Sequence, residues 1–312
     1  MPRLMHRTGS VARFVPDLVV LVRYAAAIDH FSRAEGMQSV ASFQAGGIRF
    51  DFPGDRTYVM GVVNMSPESR NQHTVAGSPA DALRMARDYR HFGASIIDLG
   101  AQSSHFENPE LSAEDELHRL LPALELLVQD GFVVAVDTWK PKVASAAVTA
   151  GAAIVNDTGG LQDPEMVAVI LGAGVPTVVM YIEGKNPLQV GSMAFSDDKV
   201  ATMAEGLGSR LSTLAAAGIT DVLVDPGLSI NYRSDYRRYT LQQMEVIRAL
   251  GDLRSLGHPV LIPVPRKREF PRVMAYITLA LEYGADVIRV HDVEAACDLV
   301  RLYGRDVPDF QP

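Results

Sequence analysis

The sequence predicts an α/β protein whose strands close into a (β/α)8 TIM barrel, preceded by an N-terminal helix and hairpin extension. From residue 58 onward, short runs rich in β-branched residues alternate with helical segments. Nearly all of these runs are apolar along their whole length, as strands of a parallel sheet buried on both faces should be. Eight such units within about 250 residues match a (β/α)8 barrel in number and size. The predicted strands are 58–63, 95–99, 133–137, 153–156, 177–181, 222–225, 260–264 and 287–291.

A doubly wound open sheet is the alternative arrangement of the same elements. No G-x-G-x-x-G follows the first strand, and eight regular units favour closure into a barrel. The connecting helices carry ordinary boundary signals. Ser112 with Asp115 forms a capping-box pattern, and glycines follow several helices where a left-handed residue is needed.

Residues 1–56 lie outside the alternating strands and helices, and we expect them to form an extension that caps the barrel. The stretch "DLVVLVRYAAAIDHF" predicts an amphipathic helix, because Asp17 and Arg23 interrupt what would otherwise resemble a secretory signal. In "SFQAGGIRFDF", Gly46 and Gly47 can supply the positive φ of a tight turn between two alternating strands. We therefore expect an extension over 1–56, with the hairpin at the N-terminal end of the barrel, and the barrel itself over 57–312.

Charge and cysteine content narrow the classes of partner. The net charge is −8 and there is no dense run of Lys and Arg, which disfavours nucleic acid or a membrane surface as the main partner. The single cysteine, Cys297, excludes an internal disulfide and a thiolate metal cluster, and it fits a reducing cytoplasm. A small molecule is the expected ligand.

Polar residues stand at almost every predicted strand end. In this architecture the active site lies at the carboxyl ends of the strands. These side chains should therefore line that open end of the barrel, which we call the mouth. Any one of them can instead cap the following helix, an interpretation that suits Asp157 and Asp292. The series reads Asn64, Asp98, Asp137, Asn156, Asp157, Tyr181, Asp225, Arg266, Lys267, Arg289 and His291.

These residues divide into two kinds of site. Carboxylate and amide acceptors with one cation suit a flat heterocycle that has several N–H donors and a carbonyl; the set is Asp137, Asn156, Asp225 and Lys267. Arg289 and His291, one residue apart in "DVIRVHDV", fall on the same strand face and suit a bound diphosphate, with Asn64 beside them. Arg289 could alternatively pair with Asp292 or another carboxylate at the rim. Any Mg²⁺ would be held mostly by phosphate oxygens, since no carboxylates or histidines have the spacing of a protein-built metal site.

Taken together, these motifs resemble those of dihydropteroate synthase and the wider family of pterin-binding barrels. The first strand and loop are "VMGVVNMSPES", and the second are "GASIIDLGAQSS". "VAVDTWKPKVASAAVTAGAAIVNDTGG" resembles the third and fourth strands, and "VDPG" the sixth. "PRK" resembles the family's S-R-K. "RVHDV" matches its own counterpart in the family outright. The likeness extends over residues 58–302 and keeps the family's order.

The resemblance implies a role for each matching residue. The pterin site would comprise Asp137, Asn156, Asp225 and Lys267, and the diphosphate site would comprise Asn64, Arg289 and His291, with Asn64 also near Mg²⁺. Lys267, Arg289 and His291 would be the catalytic residues. In this family diphosphate leaves the pterin methylene carbon and p-aminobenzoate attacks it, a step of folate biosynthesis. A homodimer is likewise an expectation from the resemblance.

The sequence departs from the family mainly in the loops that handle the second substrate. In the first loop Arg70 replaces an aromatic residue, and in the second "QSSHF" replaces E-S-T-R-P, so that its arginine is missing. Arg70, Ser104 and His105 are therefore the candidate contacts of a second substrate, which is p-aminobenzoate or a different nucleophile. Two alternatives to a transferase stay open here. One is a catalytically silent paralogue that binds pterin or folate as a sensor or partner subunit, and the other is methyl transfer to a corrinoid protein.

Overall fold

A computed structural model describes residues 41–52, 54–192, 195, 198–265 and 270–307. All of them belong to one compact unit, residues 39–312. The predicted N-terminal helix, Arg266 and Lys267 lie outside the described residues.

An antiparallel hairpin precedes the barrel, with strands β1 (Ser42–Ala45) and β2 (Ile48–Asp51). Gly46 and Gly47 form its two-residue turn with φ of 57° and 77°, a left-handed geometry that glycine adopts without steric cost. Phe43, Phe50 and the following Phe52 are buried, and they pack with residues at the beginnings of the barrel strands, Tyr58 among them. The hairpin therefore covers the amino ends of those strands.

Eight parallel strands form the barrel, and each predicted strand is present. Neighbouring strands pair in parallel, and a parallel bridge between Val224 and Val260 joins the two edges of the sheet. The predicted (β/α)8 fold is thus confirmed. The strands are β3 (Tyr58–Asn64), β4 (Ile96–Gly100), β5 (Val134–Asp137), β6 (Ile154–Asp157), β7 (Thr177–Met180), β8 (Val222–Asp225), β9 (Leu261–Pro263) and β10 (Val287–Val290). Their order in the sheet is β8-β7-β6-β5-β4-β3-β10-β9.

The helices lie on the outside of the sheet and begin at residues that favour helix starts. Ser112 accepts a hydrogen bond from the backbone N–H of Asp115 at 3.0 Å, so the predicted cap is present. Among the described residues, no helix is long and apolar enough to cross a membrane. The helices are α1 (Pro79–Phe92), α2 (Ala113–Gln129), α3 (Pro141–Thr149), α4 (Pro164–Ala173), α5 (Lys199–Ala216), α6 (Tyr236–Arg248), α7 (Leu250–Arg254), α8 (Phe270–Glu282) and α9 (Val293–Leu302); a 3₁₀ helix spans Gln72–Thr74.

Candidate active site

The carboxyl ends of the strands surround a cavity of about 690 Å³. This is the end of the barrel where the strand-end residues were expected to meet. The predicted site residues that line it are Asn64, Arg70, Ser104, His105, Asp137, Arg289 and His291. The predicted diphosphate and second-substrate residues thus line one cavity. Of the described pterin residues, Asp137 belongs to the lining, whereas Asn156 and Asp225 do not.

Arg289 ties three strands together across this mouth. From β10, its Nε donates to Asp98 in the middle of β4 and its Nη2 donates to Asp137 at the end of β5, both at 2.6 Å. The guanidinium thus pairs with carboxylates inside the barrel, and Asp292 is not its partner. Two charge-assisted bonds fix the plane of the fork. No described residue accepts a hydrogen bond from the third nitrogen, Nη1, which leaves that donor to a ligand in the cavity.

Asn156 extends this network on its buried side. Its Nδ2 donates to Asp98 at 3.0 Å, and its side chain is almost wholly buried. The amide oxygen Oδ1 has no hydrogen-bond partner among the described residues. A buried acceptor without a partner is costly, so a ligand N–H that reached Oδ1 would gain binding free energy there.

Asp225 ends β8 and is held by the glycine that follows it. The backbone N–H of Gly227 donates to Asp225 Oδ1 at 2.6 Å. Gly227 has φ of 72°, and a Cβ there would lie 2.1 Å from the carbonyl oxygen of Tyr181, so only glycine fits. This explains in physical terms why the "DPG" sequence follows the strand.

Burial governs the ionisation of Asp137, which lines the cavity, and of Asp225, which ends β8. It raises the pKa of Asp137 to about 7, with Arg289 acting in the opposite direction. It also raises the pKa of Asp225 to about 7, opposed by the Gly227 N–H and by Arg289. Three carboxyls, those of Asp98, Asp137 and Asp225, lie near one guanidinium, that of Arg289. Among the described residues the acids of this cluster therefore outnumber the cations. A ligand with several N–H donors would favour the ionised carboxylates.

His291 directly follows β10 and contacts the first loop. Its Nδ1 is 3.1 Å from Thr74 Oγ1 and its Nε2 is 3.0 Å from Asn71 Nδ2. Thr74 Oγ1 also accepts from Asn64 Nδ2 at 3.2 Å. Asn64 and His291, predicted together as diphosphate contacts, are therefore joined through one hydroxyl.

The first and second loops are joined at the rim of the cavity. Arg70 forms an ion pair with Glu107, and Asn108 Nδ2 donates to the carbonyl of Glu68 at 3.3 Å. Arg119 forms a further ion pair with the Glu68 carboxylate at 3.0 Å. The first two contacts join the loops to each other, and the third ties the first loop to α2, the helix that carries Arg119.

His105 is a buried member of the second loop, and its ring is oriented by the loop itself. The backbone N–H of Glu107 donates to His105 Nδ1 at 3.2 Å, so the neutral ring carries its proton on Nε2. Burial, followed by the nearby cation of Arg70, lowers the pKa of His105. Phe106 stacks on the His105 ring with centroids 4.6 Å apart, and the Arg233 guanidinium lies 5.0 Å from the Phe106 centroid. The second loop thus contacts both the first loop and the loop that follows β8.

Two polar residues of the site had no assigned part in the prediction. Asp98 stands in the series of polar strand ends, yet its place at the centre of the network becomes visible only when Arg289 and Asn156 converge on it. Thr74 gives no signal in the sequence, because it lies in an irregular loop and its bonds depend on how that loop returns to β3. Among the described residues, no group of three His, Cys, Asp or Glu side chains could hold a metal ion.

Comparison with known proteins agrees with this fold. The family described as pterin binding enzyme matches residues 60–302. A dihydropteroate synthase from Synechocystis is 30% identical over 270 residues, which cover 81% of this chain and 91% of that protein. Two solved structures are similar as well. The Xanthomonas albilineans dihydropteroate synthase with 4-aminobenzoic acid has 29% identity and a TM-score of 0.72, covering 87% of this chain and 100% of that one. The Burkholderia cenocepacia enzyme complexed with 7,8-dihydropteroate has 28% identity and a TM-score of 0.71, covering 85% and 95%.

The fold and its mouth define a (β/α)8 barrel of the pterin-binding class. The chain belongs to the pterin binding enzyme family, and its resemblance to dihydropteroate synthase is confirmed.

Proposed function

We propose that this protein transfers a pterinylmethyl group from a pterin diphosphate to an amine, with release of diphosphate. One observation carries the proposal: in a family of pterin-binding enzymes, Arg289 is fixed by Asp98 and Asp137, its Nη1 makes no hydrogen bond to a described residue, and it lines the same cavity as His291. Relatives named dihydropteroate synthase, and neighbours solved with 4-aminobenzoic acid or dihydropteroate, support the reaction class.

The pterin would bind on the acidic side of the cavity. Asp137 and Asp225 supply acceptors for ring N–H groups, and Asn156 supplies the unpartnered amide oxygen described above. Lys267, which lies outside the described residues, would supply the cation for the ring carbonyl, a role that rests on the family resemblance. The flat ring would then lie beside the guanidinium of Arg289.

The chemistry is a substitution at the pterin methylene carbon. The bond from this carbon to the diphosphate oxygen breaks, and its electron pair leaves with the diphosphate. Arg289 and His291 would stabilise the negative charge that grows on the leaving group, and fixed donors of this kind contribute most when charge develops. The amine nitrogen then bonds to the carbon and loses a proton to water or buffer.

The residues present fit Mg²⁺ brought in by the diphosphate. Asn64 lines the cavity, and with its Nδ2 given to Thr74 its amide oxygen is the remaining oxygen ligand. Mg²⁺ that is held by one protein oxygen, phosphate oxygens and water needs no carboxylate cluster. When bound, the ion would neutralise charge on the diphosphate.

The amine would enter between the first and second loops, where Arg70, Ser104 and His105 line the rim. These residues are polar, and none reproduces the arginine that the family carries in the second loop. We therefore leave the amine as p-aminobenzoate or a different nucleophile. A homodimer and a cytoplasmic location complete the proposal; they rest on the resemblance and on the single cysteine, Cys297.

Incubation with 6-hydroxymethyl-dihydropterin diphosphate, Mg²⁺ and a panel of amines that includes p-aminobenzoate is the test. We expect diphosphate release that depends on the amine, with a coupled pterin product detected by mass. Tight pterin binding without turnover for any amine would overturn the transferase and favour the silent paralogue, which the comparisons do not favour.

A further inference from the structure

The first loop carries a buried hydroxyl against His291. The 3₁₀ helix Gln72–Thr74 is pinned to the end of β3, because the Ala76 N–H donates to the Asn64 carbonyl at 2.8 Å and Val75 forms a parallel bridge with Asn64. Thr74 is fully buried by this arrangement. Its side chain therefore has a fixed position relative to the imidazole.

The hydrogen bonds of Thr74 Oγ1 determine where the proton of the ring lies. The hydroxyl has one proton and accepts up to two bonds. Donating that proton to the Asn71 carbonyl at 3.0 Å leaves Oγ1 to accept from Asn64 Nδ2 at 3.2 Å and from His291 Nδ1 at 3.1 Å. Asn71 Nδ2 can then donate to the bare Nε2 at 3.0 Å. All four contacts are satisfied together.

The opposite tautomer satisfies fewer of these contacts. If Nε2 carried the proton, the Thr74 hydroxyl would have to turn to Nδ1, and the Asn71 amide would have to present its oxygen to Nε2. The hydroxyl bond to the Asn71 carbonyl would then be lost. Buried polar groups favour the arrangement with more bonds made.

We infer that Thr74 is a positioning residue that holds His291 in the tautomer protonated on Nδ1 and turns Nε2 toward Asn71 and the cavity. With Nδ1–H given to Thr74 in both the neutral and the protonated ring, any proton that His291 exchanges with a ligand moves at Nε2. This deepens the proposed function and rests on it for its catalytic meaning, because Nε2 would then be the atom that meets the diphosphate. The tautomer itself does not depend on any reaction.

The test is ¹⁵N NMR of the full-length protein labelled at histidine, with the His291 signals assigned by their absence in His291→Asn. At a pH where the ring is neutral, the two nitrogen shifts distinguish a protonated nitrogen from a bare one. We expect protonated Nδ1 and bare Nε2 in the wild type and in Thr74→Ser, which keeps the hydroxyl. In the near-isosteric Thr74→Val, the shifts should move toward the other tautomer. A wild type with protonated Nε2, or a Thr74→Val spectrum identical to the wild type, would overturn the inference.

Kinetics supply the second readout. Loss of one fixed hydrogen bond predicts about a tenfold lower kcat/KM for diphosphate release in Thr74→Val, with a smaller loss in Thr74→Ser. Should Thr74→Val fail to fold, the spectra of the wild type and Thr74→Ser still decide. The two proposals fail separately: a wild type with the inferred tautomer and no diphosphate release contradicts the transferase alone, and turnover with the opposite tautomer contradicts the positioning role alone.

Discussion

Arg289 Nη2 lies 2.6 Å from the carboxylate of Asp137, and this contact links the strand that ends the barrel to one near its beginning. Both side chains are mostly shielded from solvent, and the same guanidinium also pairs with the fully buried Asp98 at 2.6 Å. A guanidinium that pairs with two carboxylates fixes the positions of both. The arrangement of Asp98 and Asp137 therefore depends on the single side chain of Arg289.

Replacing Arg289 with lysine should therefore lower both stability and activity. Lysine keeps the charge but has no planar fork, so one of the two buried carboxylates loses its partner. Breaking a buried ion pair of this kind typically costs about 3–5 kcal/mol, to be measured by urea unfolding. Arg84→Lys is the matched control, because Arg84 pairs with Asp81 at the same 2.6 Å but is exposed. Equal stability losses for the two variants would contradict the importance of the buried network.

Pterin affinity should depend on pH through the carboxyl groups of Asp137 and Asp225. Asp225, with its pKa raised to about 7, is protonated at lower pH and must ionise to act as a carboxylate acceptor. Binding that favours the ionised form releases a proton, so affinity should rise from about pH 5.5 to about pH 8 and then level off. Titration calorimetry across this range should show a smaller rise in Asp225→Asn, where Asp137 alone still ionises.

Asp157 provides the control for this pH dependence. Its pKa is also raised to about 7 by burial, but its carboxylate accepts from the backbone N–H groups of Gly159 and Leu161. Asp157→Asn should keep the wild-type slope of affinity against pH. If the affinity were flat in the wild type, or if Asp157→Asn flattened it as much as Asp225→Asn, the assignment of Asp225 to the pterin would be wrong.

The ion pair between Arg70 and Glu107 should restrain the first and second loops without adding much to global stability. Both side chains are largely exposed, and such pairs contribute at most about 1 kcal/mol. Arg70→Gln should increase hydrogen exchange in residues 66–71 and 103–108 and raise KM for the amine, with the unfolding midpoint nearly unchanged. Lys142→Gln, which breaks an equally exposed pair with Glu114, should leave exchange in these loops unaltered. Unchanged hydrogen exchange of both loops in Arg70→Gln would show that this ion pair does not restrain them.

The hairpin should stabilise the amino end of the barrel through its aromatic residues. Phe50 is fully buried among Phe43, Phe52 and Tyr58, so Phe50→Ala should cost about 3–5 kcal/mol of unfolding free energy. Arg49 on the same strand is exposed, and Arg49→Ala should cost far less. Chemical unfolding monitored by circular dichroism measures both. A loss below that of Arg49→Ala would show that the hairpin contributes nothing to the barrel.

The strands and the hairpin could be predicted because their signals are local. Apolar runs such as 133–137 indicate strands buried on both faces, and Gly46 with Gly47 indicates the tight turn directly. The meeting of Asn64, Asp137, Arg289 and His291 in one cavity followed from the rule that carboxyl ends of barrel strands share an edge. These parts needed no knowledge of distant pairings.

The partners within the mouth could not be predicted in the same way. Arg289 lies 191 residues from Asp98 and 152 from Asp137, and the sequence alone could not choose between them and the adjacent Asp292. Similarly, nothing local marks Thr74 as the partner of His291, because that contact depends on an irregular loop. The pterin role of Lys267 remains a prediction from the family resemblance.

Transfer of the pterinylmethyl group with release of diphosphate is tested most directly by a single-turnover experiment with 6-hydroxymethyl-dihydropterin diphosphate and an accepted amine. Diphosphate and the coupled pterin product are quantified from the same quenched samples, for the wild type and for His291→Asn. We expect equal amounts of the two products in the wild type, and slower formation of both in His291→Asn with pterin still bound. Bound pterin diphosphate that stays intact in the wild type with every amine, or an unimpaired His291→Asn, would contradict this expectation.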